Sequence, residues 1–236
     1  MNKISSKLLL LTSKLLLLTS LVLANIVPAI QARENTSTPA ESPQQSTSIL
    51  KAILSLFKST ENRFVTRGDE VCLISPGNAG EQVIWSDRPL FIWQGKIPES
   101  EINLVEVPKN LLEEEQLVWM ETVPENIQSI AYTGDALKPG ITYKWELISN
   151  NITYNQTITL MEESEHEAIA AELTDLENTL DDDATVEDIA MARADFFTRK
   201  QLGYDALQQL YSVPNPSSSL KTQIKEIEQY FCNLNE

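Results

Sequence analysis

The hydrophobic period of this chain changes once, near residue 162, and that change constrains the fold more than any single motif does. Between residues 70 and 162 short apolar runs alternate with polar residues and are separated by turn formers, the pattern of half-buried strands. The runs are Glu70–Ser75, Val83–Trp85, Pro89–Gln94, Glu101–Val107, Gln116–Val123, Ser129–Tyr132, Ile141–Ser149 and Ile152–Met161. Pro76-Gly77-Asn78, Asp87-Arg88-Pro89, Lys96–Pro98, Gly134 and Pro139-Gly140 break them, and Asn150-Asn151 reads as a hairpin turn. Seven or eight strands over roughly ninety residues have the rhythm of an antiparallel sandwich.

From residue 163 the period is about 3.6. Ile169, Leu173, Leu176 and Leu180 make one helical stripe, and Val186, Ile189, Ala190, Ala194 and Phe197 make a second behind a Thr185/Asp188 capping box. Leu202, Ala206, Leu210 and Val213 form a third, stopped by Pro214 and Pro216, and Leu220, Ile224, Ile227 and Phe231 form the last. The pattern predicts an α+β chain: a sandwich over 70–162, then a small helical bundle over 163–236 with Phe197, Leu210 and Phe231 in a core of its own.

The segment ahead of the sandwich reads as a leader for export. Lys3 and Lys7 give a positive n-region, Leu15–Val27 an apolar core, and Ile30-Gln31-Ala32 a cleavage point after Ala32, so residues 1–32 read as a signal peptide. Ser6–Thr12 (SKLLLLT) recurs at Ser13–Thr19, a duplication that an apolar core of undemanding sequence tolerates. The competing reading is an uncleaved anchor. Lys14 leaves about sixteen apolar-dominated residues, short of the roughly 20 that a span needs, which favours cleavage and no stable membrane span afterwards. Residues 33–47 hold no aliphatic or aromatic side chain larger than Ala and read as a disordered linker. Ile49, Leu50, Ile53, Leu54 and Phe57 then predict a short amphipathic helix over 48–58, packed on the following domain or, with Lys51 and Lys58 at its edge, facing a membrane surface or partner.

Two segments carry a resemblance. Leu137-Lys138-Pro139-Gly140-Ile141-Thr142-Tyr143 looks like the corner of fibronectin type III domains, in which the tyrosine hydroxyl closes the sandwich edge. Pro89-Leu90-Phe91-Ile92-Trp93 is similar to that family's second strand, with Phe91 and Trp93 as core aromatics on one face. The resemblance implies an antiparallel immunoglobulin-like β-sandwich with Tyr143, Trp145, Phe91 and Trp93 in its core, and says nothing of function. The helices from Val186 to Val213 weakly resemble one tetratricopeptide-type hairpin, with Ala194, Phe197, Ala206 and Leu210 at its small and large positions. The wider arrangement, Val71–Gly77, Trp85–Gly95, Leu137–Trp145 and Tyr211–Pro216, is similar to a family of uncharacterised exported cyanobacterial proteins, which implies an extracytoplasmic setting.

Charge narrows the function classes. The chain carries 34 acidic and 18 basic residues, and three of the lysines (Lys3, Lys7, Lys14) precede residue 33, so the remainder has a net charge of −19. Such a surface repels nucleic acid and anionic lipid, leaving a cationic protein or divalent ions as the natural partners. His166, the single histidine, lies between Glu165 and Glu167 and reads as a solvated surface residue. No serine sits in a nucleophile elbow, and His166, Cys72 and Cys232 lack zinc-site spacing. Cys72 and Cys232 are the only cysteines. In an exported protein they read as a disulfide from first strand to last helix, with two buried free thiols as the alternative.

Asp181-Asp182-Asp183 lacks the alternating ligands and glycine of a calcium loop and reads as acid placed before a helix start. Glu113-Glu114-Glu115 reads as a solvated loop, Arg67-Gly68-Asp69 as a chance integrin tripeptide, and Asn35, Asn151 and Asn155 as glycosylation sequons relevant only to a eukaryotic pathway. No catalytic residue, cofactor site or metal site is predicted. The expected function is an exported (periplasmic or secreted), non-catalytic binding or adaptor protein whose partner, of cationic character, meets Asp181, Asp182, Asp183, Glu187 and Asp188. The alternatives are a carboxylate-based glycan hydrolase, which needs two carboxylates about 5 to 10 Å apart in a cleft, and a membrane-anchored structural protein.

Overall fold

The computed structural model describes residues 43–57, 71–77, 82–110 and 112–232. The segment expected to be a signal peptide, its expected cleavage point at Ala32, Asn35, Lys58 and Arg67-Gly68-Asp69 lie outside the described residues. Eight strands follow one helix and precede four: α1 (Pro43–Leu56), β1 (Val71–Ser75), β2 (Gln82–Ile84), β3 (Leu90–Gly95), β4 (Ser100–Glu106), β5 (Gln116–Val123), β6 (Ser129–Ala131), β7 (Thr142–Ser149), β8 (Ile152–Leu160), α2 (Glu163–Glu177), α3 (Val186–Arg199), α4 (Gly203–Tyr211) and α5 (Ser218–Cys232). Every predicted strand is present. The helix expected from residue 48 begins at Pro43 instead, because proline is well placed in a first turn whose N–H groups have no partner.

The strands form two sheets, β1-β3-β6 and β2-β8-β7-β4-β5. The pairings are antiparallel except one: β2 runs parallel to β8, with Gln82 opposite Ile158 and Ile84 opposite Leu160. This departs from the all-antiparallel sandwich expected from sequence. Alternation shows which residues face the core, but the direction of a three-residue edge strand is set by the chain's path before it.

Local chemistry fixes the long hairpin. Asn150 and Asn151 both take left-handed φ, 50° and 63°, so a two-residue turn joins Ser149 directly opposite Ile152. That register sends Tyr143, Trp145 and Leu147 inward, all buried. Gly140, at φ 68°, makes the corner before β7, and a Cβ there would meet the Glu162 carboxylate. The Tyr143 hydroxyl accepts the Lys138 N–H at 3.0 Å, the bond the sequence resemblance called for. Between the sheets, Phe91 lies 5.0 Å from Trp145 and 5.9 Å from Trp119, ring centre to ring centre. Trp145 also donates its indole N–H to the Pro76 carbonyl at 2.7 Å.

The C-terminal helices follow the sandwich, as the sequence predicts, and build a third layer on it. Leu73 pairs with Trp93 on the inner face of β1 and β3, so Cys72, Gln94 and Ile92 point to the outer face. Ile92 is nevertheless fully buried, because α4 and α5 lie over that face. Gln94 hydrogen bonds Glu228 of α5, and Cys72 is disulfide-bonded to Cys232 at its end, with Cα atoms 5.7 Å apart. Buried residues from sandwich and helices therefore form one continuous core, against the two cores expected from sequence. The three-stranded sheet is its middle layer.

Helix α1 packs against α3, α4 and α5, which decides its reading in favour of the domain. Leu50 and Ile53 are buried, and Phe57 meets Tyr204 at 5.0 Å and Phe231 at 4.9 Å. The approach needs Gly203, where a Cβ would come within 2.6 Å of the Phe57 ring. Helices α3 and α4 pack side by side, with Ala194, Phe197, Ala206 and Leu210 fully buried.

Edges of the sheets differ in exposure to new pairing. β2 and β6 are three residues each, and β1 is five residues long with α5 beside it. β5 has eight residues and, among the described residues, pairs on one side only, with β4.

Candidate functional site

The residue that most demands explanation is Asp205, a carboxylate with 2% of its surface exposed. It occupies the third position of α4, where its oxygens meet backbone N–H groups of the segment leaving β2. The Trp85 N–H donates to Oδ2 at 2.9 Å and the Ser86 N–H to Oδ1 at 2.8 Å. One turn on, Gln208 accepts the Leu90 N–H through Oε1 and donates through Nε2 to Ser86 Oγ and the Arg88 carbonyl. Two side chains of α4 thus satisfy the backbone of the irregular stretch between β2 and β3, which no sheet partner serves. Burial pushes the Asp205 carboxyl up to about 6, against the pull of the Trp85, Ser86 and Asp205 N–H groups.

Beside Asp205 lies a shallow crevice lined by Ser75, Pro76, Ile84, Pro89, Leu90, Tyr204 and Gln208 and too narrow for a water molecule. Asp205 is its single carboxylate. The paired carboxylates that glycan hydrolysis needs are not brought together there, and Asp205 acts as a structural staple. Sequence reading passed over it. The one available signal was an aspartate among Leu202, Tyr204, Ala206 and Leu207, a setting where acids are rarely buried unless partnered.

His166 differs from its expected place in solvent. Its ring stacks on Trp85 at 5.2 Å with 11° between planes, and its carbonyl accepts the Trp85 indole N–H at 3.1 Å. The pair anchors the start of α2 to the strand-to-helix junction. Among the described residues, no group of three or more His, Cys, Asp or Glu is placed to hold a metal ion.

The five acidic partner-surface candidates fall into two sets. Asp181, Asp182 and Asp183 are exposed in the turn between α2 and α3. Asp188 is taken up in the capping box: its carboxylate accepts the Thr185 hydroxyl at 2.6 Å and the Thr185 N–H at 2.9 Å, bonds that hold its carboxyl below the usual range, while its own N–H donates to Thr185 Oγ1 at 3.1 Å. Glu187 reaches across to α5, accepting from the Ser217 N–H at 2.8 Å and its hydroxyl at 2.6 Å. These two carboxylates serve helix ends, and spacing alone could not tell them from a display surface.

Helix α2 continues the acidic face. Leu173 is the one residue of its fifteen that is buried, and Glu163, Glu165, Glu167 and Asp175 are exposed. Glu177 pairs with Arg193 at 2.6 Å, and Glu172 pairs with Lys200. Asn151 and Asn155 are exposed on β7–β8 and its turn. Among the described residues, no helix is long and apolar enough to cross a membrane. The chain matches no protein-family model and no curated protein sequence.

Proposed function

We propose that this chain is an exported, non-catalytic binding protein that works outside the cytoplasm and meets a cationic protein through its acidic helical face. The observation that carries the reading is α2, a fifteen-residue helix that buries Leu173 alone and displays carboxylates running on into Asp181-Asp182-Asp183. Thirteen acidic residues stand against Arg193 between Glu162 and Asp195, a density whose self-repulsion works against folding. A cationic partner relieves that repulsion, and the field around such a face speeds its encounter. The leader reading and the resemblance to exported cyanobacterial proteins support the compartment, and the Cys72–Cys232 bond is compatible with an oxidising one.

The test is a pull-down from periplasmic extract at low and high ionic strength, using protein recovered from the extracytoplasmic fraction and checked by intact mass for a start at Arg33. Wild type should hold a partner at low salt and release it at high salt, whereas an Asp181/Asp182/Asp183→Asn variant should hold it weakly at both. A partner retained equally by both proteins at both salts removes the acidic face as the recognition surface.

A further inference from the structure

We infer that β5 is a second docking surface, one that takes an extended cationic segment of another protein as an added strand on the five-stranded sheet. This goes beyond the reading of the helical face. β5 borders the sheet on the side opposite β2 and β8, from which the chain enters α2. Among the described residues its outer backbone edge has no strand partner over eight residues, whereas the other edges are three residues long or flanked by a helix. A strand laid on such an edge gains main-chain hydrogen bonds with little change in the host.

The side chains define the occupant. Leu117 lies opposite Val105 and Met120 opposite Asn103, so both stand on the outer sheet face, 52% and 55% exposed. With Leu112, 92% exposed in the loop before the strand, they make three of the six large apolar side chains that are exposed among the described residues. On the inner face Trp119 is half-buried beneath Tyr132 and Val123 is buried, but Glu121 between them is exposed although it faces the fully buried Ile102.

Charge chooses between candidate occupants. Residues 109–126 carry five glutamates and one lysine, and among the described residues Glu115 alone of these glutamates is tied to a cation, Lys144 at 2.5 Å. A second copy of β5 would bring Glu121 and Glu113–Glu115 against their own kind, and like charges across a strand pair are unfavourable. A neutral strand would leave Glu121 unpaired at the new interface. A strand with a lysine or arginine opposite Glu121 and an apolar residue against Met120 satisfies both faces.

The probe is a ten-residue peptide alternating lysine and valine, with a glutamate–valine peptide as control, titrated into the full mature chain. The lysine peptide should bind, protect β5 amides from hydrogen exchange, and weaken with salt; the glutamate peptide should not bind. Glu121→Lys, an exposed change whose thermal midpoint should match wild type, should weaken the lysine peptide at least tenfold and admit the glutamate peptide. The Asp181/Asp182/Asp183→Asn variant should bind the lysine peptide as wild type does, which separates this surface from the helical one. The inference is overturned if the lysine peptide fails to bind, binds Glu121→Lys equally, or protects α2 instead of β5. It is equally overturned if the free protein dimerises through β5.

Discussion

Asp205 offers a direct measure of how the helical layer is fastened to the sandwich. Its carboxyl is pushed up to about 6 from the usual 3.8, chiefly by burial. A group raised in the folded state adds stability that is complete below its unfolded value and is lost as pH rises through its folded one. For these two values the contribution lost between pH 5 and pH 7.5 is about 1.4 kcal/mol, from the ratio of proton-binding terms in the two states. Other carboxylates titrate over the same range, so the informative quantity is the stability difference between wild type and Asp205→Asn at each pH. The asparagine oxygen can accept one of the two N–H groups from Trp85 and Ser86, while its amide confronts the other. That leaves a buried donor unmet, at about 1 to 3 kcal/mol. Urea unfolding followed by tryptophan fluorescence should show wild type gaining about 1.4 kcal/mol on Asp205→Asn as pH falls from 7.5 to 5. A difference that stays flat, or that moves the other way, would show that the two N–H bonds outweigh burial and that the carboxyl is not raised.

Two further outcomes test the core. Cys72→Ser with Cys232→Ser opens a loop of sequence separation 160, and denaturant unfolding should show a loss of up to about 5 kcal/mol, with amide exchange rising first in α5. Trp93 and Trp145 are both fully buried, but the Trp145 N–H reaches Pro76 while the Trp93 N–H has no acceptor among the described residues. Trp145→Phe should therefore cost about 1 kcal/mol more than Trp93→Phe, measured as urea midpoints, since only one of them gives up a hydrogen bond.

What could be read from sequence was what depends on neighbours along the chain. Alternation marked all eight strands, the Asn150-Asn151 pair marked its turn, and Thr185 with Asp188 marked the start of α3, because each signal spans a few residues. What depends on partners far along the chain was not readable. Ile92 looked like the outward-facing member between Phe91 and Trp93, and only the helical layer over it explains its burial. Asp205 drew no reading at all because its partners, Trp85 and Ser86, lie about 120 residues earlier. His166 looked solvated because its acidic neighbours say nothing of Trp85, and Glu187 looked available because Ser217 is 30 residues away. β5 was read correctly as a strand, yet its place at an open edge is a property of strand order.

The bond from Cys72 to Cys232 also determines how the molecule carries a load. Tension applied through the segments flanking those two residues passes from Cα to Cα over 5.7 Å and bypasses everything between. The sandwich, α2, α3 and α4 all lie inside that bypass and feel no stretching force while the bond holds. Among the described elements, helix α1 alone stands outside it. Under tension α1 would peel from Phe231 and Tyr204, and the residues from Pro43 to Cys72 would extend to about 100 Å at ~3.4 Å each before the chain went taut. The protein would then behave as an inextensible link with one soft spring at its N-terminal side.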